Sequence, residues 1–175
     1  CDCLTEIYPS AKLSLPQEVI NDLRAGVASG KYAEYAKIDL KNFYPSIPHH
    51  LIKTTIWKKV RKPELRSLIN AAITTPTVPE SKGKKDTPDS TIGVPQGLAI
   101  SNLLAEISLQ NIDSAFLAHP DIWYKRYVDD ILILAAEGQA RAVADELIAS
   151  LKNLGLTPHD FGPDSKSKVA PLTDP

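Results

Sequence analysis

Three carboxylates stand where this sequence could do chemistry: Asp39, and ninety positions later the adjacent pair Asp129-Asp130. Asp39 lies near the end of the short segment Tyr35-Ala36-Lys37-Ile38-Asp39-Leu40. The pair is flanked by Trp123, Tyr124, Tyr127 and Val128 on one side and by Ile131-Leu132-Ile133-Leu134 on the other. Taken singly, an acid before a proline-rich turn is ordinarily a cap, and an acid pair at a hairpin tip a solvated turn. Apolar flanks on both sides instead put these acids at the join of buried strands, where like charges repel unless a cation sits between them. Hard oxygen donors without accompanying His or Cys favour magnesium or manganese over zinc. Two such ions about 4 Å apart, clamping the attacking and leaving oxygens, are a means of phosphoryl transfer to a hydroxyl.

The elements that must position these acids follow from hydrophobic spacing. Ser14-Leu15-Pro16-Gln17 reads as a capping box, and Val19, Ile20, Leu23 and Val27 then recur at helical spacing, predicting a helix over 16–29. A strand over 35–40 carries Asp39, and Pro45 and Pro48 stop it. From His49 to Arg66 the bases Lys53, Lys58, Lys59, Arg61, Lys62 and Arg66 face one acid, Glu64. Leu51, Ile52, Ile56, Trp57 and Val60 recur between them, predicting an amphipathic helix with a basic outer face. His49 and His50 are read as helping to begin it. A further helix is expected over 63–74, a long loop over 76–92, a helix over 98–118, a hairpin over 122–136 pivoting on Asp129-Asp130, a helix over 139–154 closed by Gly155, and a last strand or arm beyond Leu156. Strands separated by helices with a hairpin in the middle suit an α+β fold, a split βαβ sheet with helices packed on one face.

Composition narrows the class. The 175 residues are 43% hydrophobic and 23% charged with a net charge of −1, which excludes wholesale disorder and fibrous repeats. The longest apolar run, Ile131 to Ala136, is far too short to span a membrane. Two cysteines, at positions 1 and 3, cannot staple a core, so a reducing, cytoplasmic setting is expected. With no methionine and abrupt ends, the chain is read as an excerpt of a longer polypeptide.

Three segments together resemble a known family. Asp39-Leu40-Lys41-Asn42-Phe43-Tyr44-Pro45-Ser46-Ile47 is similar to the first palm motif of reverse transcriptases, Val94-Pro95-Gln96-Gly97 with Ser101 to the second, and Tyr127-Val128-Asp129-Asp130 to the catalytic hairpin. They occur in the family's order, and the resemblance runs from about Tyr35 to Val169. It is nearest to bacterial enzymes of the retron, group II intron and abortive-infection types.

The resemblance implies a polymerase palm with a ferredoxin-like antiparallel sheet and RNA-directed synthesis of DNA. Two Mg²⁺ ions, or Mn²⁺, would be held by Asp39 and Asp129, with Asp130 as the third acid. The backbone of Leu40, Asn42 and Phe43 would meet the triphosphate, and Tyr44 would lie under the sugar and exclude a 2′-hydroxyl. Gln96 and Gly97 would line the pocket of the nascent base pair. Leu154-Gly155-Leu156 with Lys166-Ser167-Lys168 resembles the fourth motif, and Lys166 is chosen over Lys168 as the lysine near the departing pyrophosphate. Lys53, Lys58, Lys59 and Arg61, with Tyr127 and Val128, would contact nucleic acid, where phosphate contacts dominate affinity.

The implied partners are an RNA template, a DNA or RNA primer, dNTPs and a structured noncoding RNA, with no membrane. Asn102, where many relatives carry proline, and Val128, in place of the commoner alanine, turn the subtype toward abortive-infection or unclassified relatives and leave untemplated DNA synthesis open. A maturase-like RNA-binding module is the rival from another class. On this reading residues 1–34 link fingers to palm and 35–175 form the palm, with a basic helical insert at 49–75 and a loop at 76–92. The finger tip and thumb are expected to lie largely outside the chain, and the isolated piece to fold but polymerise poorly.

Overall fold

The computed structural model describes residues 2–11, 14–75, 90–95 and 98–172. Among them the chain divides into two compact units, one of residues 1–12 with 42–109 and the other of residues 13–41 with 110–175.

The second unit is built on four antiparallel strands, β1 (Glu34–Asp39), β2 (Trp123–Tyr127), β3 (Asp130–Ala135) and β4 (Lys168–Pro171), in the order β2-β3-β1-β4. That order is the split βαβ arrangement, with β1 between the hairpin's second strand and the last strand. Strand alternation assigns the faces. Ala36 and Ile38 of β1 and Ile131 and Ile133 of β3 are fully buried, and helix α7 (Ala140–Asn153) packs against the same two strands through Ala140, Ala144, Leu147 and Leu151. Glu34 Oε2 accepts the Ala140 amide at 3.3 Å, an acid placed at a helix N-terminus where the dipole favours it. Gly155, at φ 85, ends the helix in the expected left-handed position.

Helix α2 (Pro16–Ala28) covers one end of the other face. Gly26 is the point of closest approach: a Cβ there would stand 3.2 Å from Leu134 Cδ1 and 3.3 Å from Trp123 Cδ1. The Lys125 ammonium meets Asp22 at 2.9 Å beside this contact. The helix starts at Pro16, as expected, but its N-cap is not Ser14. Leu15 is the N-cap, and its amide donates to Glu18 Oε2 at 2.9 Å, so Glu18 performs the role assigned to Gln17.

The first unit holds α1 (Asp2–Ile7), a short 3₁₀ turn at Pro9–Ala11, α3 (Phe43–Ser46), α4 (His49–Ile56), α5 (Pro63–Thr74) and the first part of α6 (Ala99–Leu117), whose later residues belong to the second unit. The continuous basic helix expected over 49–66 is two helices instead. α4 stops at Ile56 because the chain turns through Trp57 to Lys62. Arg66 then closes that turn, donating from Nε to the Val60 carbonyl at 2.8 Å and from Nη2 to the Trp57 carbonyl at 3.0 Å. Val60, whose spacing suggested a continuing helical stripe, is buried by the turn. Tyr8, also buried, has its hydroxyl 3.1 Å from the Thr55 and Ile56 carbonyls, which satisfies the end of α4. Most of the expected 76–92 loop lies outside the described residues.

Candidate functional site

Asp39 is the last residue of β1, and its direct cross-strand partner is Asp130, the first residue of β3. The pairing continues one step further, since the Leu40 amide donates to the Asp129 carbonyl at 3.2 Å. Paired residues of an antiparallel ladder project on the same face. Register alone therefore sets Asp39 and Asp130 side by side with Asp129 in the adjoining turn. The turn residues are Val128 and Asp129, with Tyr127 paired to Asp130, and not Asp129-Asp130 as the sequence suggested. Val128 sits at φ 58, in the left-handed region that β-branched residues avoid, at a cost of about 1–3 kcal/mol.

What holds that turn is Arg126. Its Nη1 donates to the Val128 carbonyl at 3.0 Å, while Nε and Nη2 form a fork on Asp113 at 2.9 and 2.6 Å. Tyr124 adds a 2.7 Å hydrogen bond from its hydroxyl to the same carboxylate. The Arg126 side chain is only 3% exposed, so the pair is desolvated and geometrically fixed.

The acids are surrounded by cationic and polar groups. Lys37, two residues before Asp39 on the same face, reaches Asp130 Oδ1 at 3.0 Å. Its ammonium is held above the usual lysine range, first by that hydrogen bond and then, against partial burial, by the negative field of Asp130, Asp39 and Asp129. Asp39 is the buried member, its side chain 10% exposed. His159 Nε2 lies 3.2 Å and Lys166 Nζ 3.6 Å from its Oδ1, yet this oxygen accepts no hydrogen bond from any described residue. The 157–167 segment carries both groups. It pairs along the end of β1 through the Lys41 amide to the Thr157 carbonyl and the His159 amide to the Asp39 carbonyl, each 2.8 Å, and Ser167 Oγ accepts the Asp39 amide at 3.2 Å.

These carboxylates suit a hard divalent cation, and the buried, unsatisfied Oδ1 of Asp39 is the atom that most needs one. Among the described residues no three His, Cys, Asp or Glu side chains form a ready cage. That is compatible with magnesium, which is commonly bound by one or two carboxylates with substrate phosphates completing its shell. Beside the turn an apolar cavity of about 210 Å³, lined by Val19, Leu23, Trp123, Tyr127 and Leu132 among others, opens against Asp130.

The second unit thus brings together Asp39, Leu40, Tyr127, Val128, Asp129, Asp130 and Lys166. The Leu40 and Lys41 amides are used in strand pairing, so the expected contact of the Leu40 amide with a triphosphate does not fit this geometry. The remaining expected residues, where described, lie in the first unit. Asn42 is left-handed at φ 46 and precedes α3; the Phe43 side chain is buried. The Tyr44 hydroxyl donates to Asn102 Oδ1 at 2.8 Å. Gly93, just before the Val94-Pro95-Gln96-Gly97 motif, is tied to this region. Its amide donates to the Ile47 carbonyl at 2.8 Å, Val94 donates to the Tyr44 carbonyl at 2.9 Å, and the buried His49 ring meets the Gly93 carbonyl at 2.7 Å. His49 therefore anchors the second motif as well as standing at the start of α4. Ser101 Oγ closes that motif by donating to the Pro95 carbonyl at 2.6 Å; Gln96 and Gly97 themselves lie outside the described residues. Lys58, Lys59 and Arg61 are exposed in the turn after α4, and Lys53 is half-buried on the helix.

Sequence reasoning missed Lys37, Arg126, Asn102 and His159 as partners of the site. Lys37 carried a signal in its alternation with Asp39 on one strand face; Arg126 acts locally on Val128 while pairing with Asp113, and Asn102 and His159 are brought in by tertiary pairing.

A family model described as reverse transcriptase (RNA-dependent DNA polymerase) matches residues 4–160. No curated protein matches. Among solved structures, telomerase from Candida albicans in complex with a TWJ fragment of telomeric RNA superposes with a TM-score of 0.70 at 14% identity, covering 99% of this chain and 33% of that one. Apo telomerase from Candida tropicalis, truncated from its C-terminal domain, gives 0.64 at 14% identity over 93% and 37%. The chain therefore spans about a third of the length of these structural neighbours, and at such identity the likeness is one of fold.

Proposed function

The chain belongs to the reverse transcriptase family, and from that premise we propose that it is the palm of an RNA-directed DNA polymerase, joining dNTPs to a primer 3′-hydroxyl by two-metal nucleotidyl transfer. The observation that carries this reading is the strand register, which puts Asp39 opposite Asp130 at the end of a β2-β3-β1-β4 sheet with Asp129 in the adjoining turn. Asp39 and Asp129 hold the divalent cations, and Asp130, paired to Lys37, is the auxiliary acid. Bound there, the ions supply Lewis acidity at the attacking and leaving oxygens. Lys166, on a long and exposed side chain, is in reach of Asp39 and suits neutralising the departing pyrophosphate.

Tyr44, tethered to Asn102, is the gate against the 2′-hydroxyl. Lys53, Lys58, Lys59 and Arg61 supply the positive surface for template and primer phosphates. Within the family, the motif residues support a bacterial enzyme of the retron, group II intron or abortive-infection type, with an RNA template as partner.

The test is Asp129→Asn in the full-length protein, assayed for dNTP incorporation on a primed RNA template. Loss of incorporation with RNA affinity retained supports the reading, and an Asn variant as active as the parent overturns it. Product sequence that ignores the template would favour the untemplated alternative.

A further inference from the structure

We infer that His159 lends a nitrogen donor to the divalent cation held at Asp39, making this a mixed nitrogen and oxygen site that prefers Mn²⁺ over Mg²⁺. The inference rests on the metal-binding role proposed above for Asp39.

Local pairing fixes the imidazole. Leu40 and Pro158 form an antiparallel bridge, so Asp39 and His159 are opposed in the next register position, tied by the 2.8 Å bond from the His159 amide to the Asp39 carbonyl. Opposed residues project together. His159 Nε2 accordingly stands 3.2 Å from Asp39 Oδ1. That contact is not a hydrogen bond, since Oδ1 accepts none from the described residues, and the Asp39 side chain is nine-tenths buried. The contact is an ion pair only when the imidazole is protonated; with a neutral ring, Nε2 and the buried Oδ1 are two adjacent donor atoms without a hydrogen bond between them, open to one shared cation.

The only other group at this oxygen among the described contacts is Lys166 Nζ, 3.6 Å away on a side chain 67% exposed. Such a side chain can swing aside at little packing cost. Imidazole contributes little to Mg²⁺, which seeks oxygen, but it is a good donor to first-row transition ions. Among these, Mn²⁺ keeps the preference for carboxylate and phosphate oxygens that the remaining donors impose.

The experiment titrates the 175-residue chain with Mn²⁺ and follows the bound ion by electron paramagnetic resonance, with pulsed measurement of nitrogen coupling. Mn²⁺ bound to the parent chain should show ¹⁴N coupling that changes to ¹⁵N coupling when histidine is ¹⁵N-labelled. In His159→Gln the coupling should vanish and Mn²⁺ affinity fall at least about tenfold, while Mg²⁺ affinity stays nearly unchanged. Asp39→Asn should remove the nitrogen-coupled ion. Mn²⁺ binding that ignores Asp39→Asn, or no binding even with a nucleoside triphosphate present, would overturn the metal role of Asp39 and with it this inference. Asp39-dependent binding without nitrogen coupling, or with coupling that survives His159→Gln, would overturn the inference and leave that role standing.

Discussion

Asp113→Asn should destabilise the protein more than any surface charge change, because it strands a buried guanidinium. The Arg126 side chain is 3% exposed and that of Asp113 19%, and two donors of the guanidinium are spent on this one carboxylate. Removing one partner of such a buried pair costs about 3–5 kcal/mol. For a chain of this size each kcal/mol lowers the melting temperature by about 2–4 °C, so a fall of roughly 6–20 °C is expected, read by circular dichroism and by urea titration. The double variant Asp113→Leu with Arg126→Met removes both charges at similar volume. The Tyr124 hydroxyl loses its Asp113 acceptor there, so stability should recover to within about 1–3 kcal/mol of the parent. Recovered stability should not bring back activity, because the 3.0 Å bond from Arg126 to the Val128 carbonyl is then gone. That carbonyl belongs to the peptide leading into Asp129, so freeing it lets the strained turn relax and Asp129 drift. A loss below about 1 kcal/mol for Asp113→Asn, the scale of an exposed pair, or a double variant with full polymerase activity in the full-length protein, would refute this account of the turn.

Gly93→Ala should damage the first unit severely. A Cβ at Gly93 would stand 2.5 Å from the Pro45 carbonyl oxygen on a residue already at φ 83. Left-handed strain of about 1–2 kcal/mol and overpacking of about 1–3 kcal/mol add to a loss of roughly 2–5 kcal/mol, measured by urea titration; a change under about 1 kcal/mol would show that segments 44–48 and 92–94 are not zipped as described. Asn102→Ala and Tyr44→Phe each delete the same 2.8 Å hydrogen bond. Each should lower the dNTP-to-rNTP ratio of kcat/KM about fivefold, the equivalent of about 1 kcal/mol, and unchanged selectivity in both would detach Asn102 from the gate.

The sequence was most legible where periodicity and punctuation agreed. The helix expected over 63–74 is α5 at its observed bounds, and Gly155 marked the end of α7. It was least legible where one side-chain contact decided the outcome. Trp57 to Val60 continued the helical spacing of α4, but the turn was selected by Arg66, which satisfies two of its carbonyls, and no periodicity encodes that. The hairpin turn was displaced by one residue for a related reason. An Asp-Asp pair is the better turn former by composition, yet pairing of Tyr127 with Asp130 and the Arg126 bond to Val128 put a valine in the left-handed position.

That displacement bears on chemistry. With Asp129-Asp130 at the tip, both acids would point into solvent and Asp39 would face neither directly. In the observed register Asp130 is locked into the ladder against Asp39 and drawn to Lys37, and Asp129 occupies the turn under the control of Arg126. The two neighbouring acids are thus distinguished by backbone geometry before any ion binds, one held by strand pairing and the other by a strained turn. Identical side chains can then serve unequal roles, because the cost of holding Val128 at positive φ sets Asp129 apart from the ladder that fixes its neighbour.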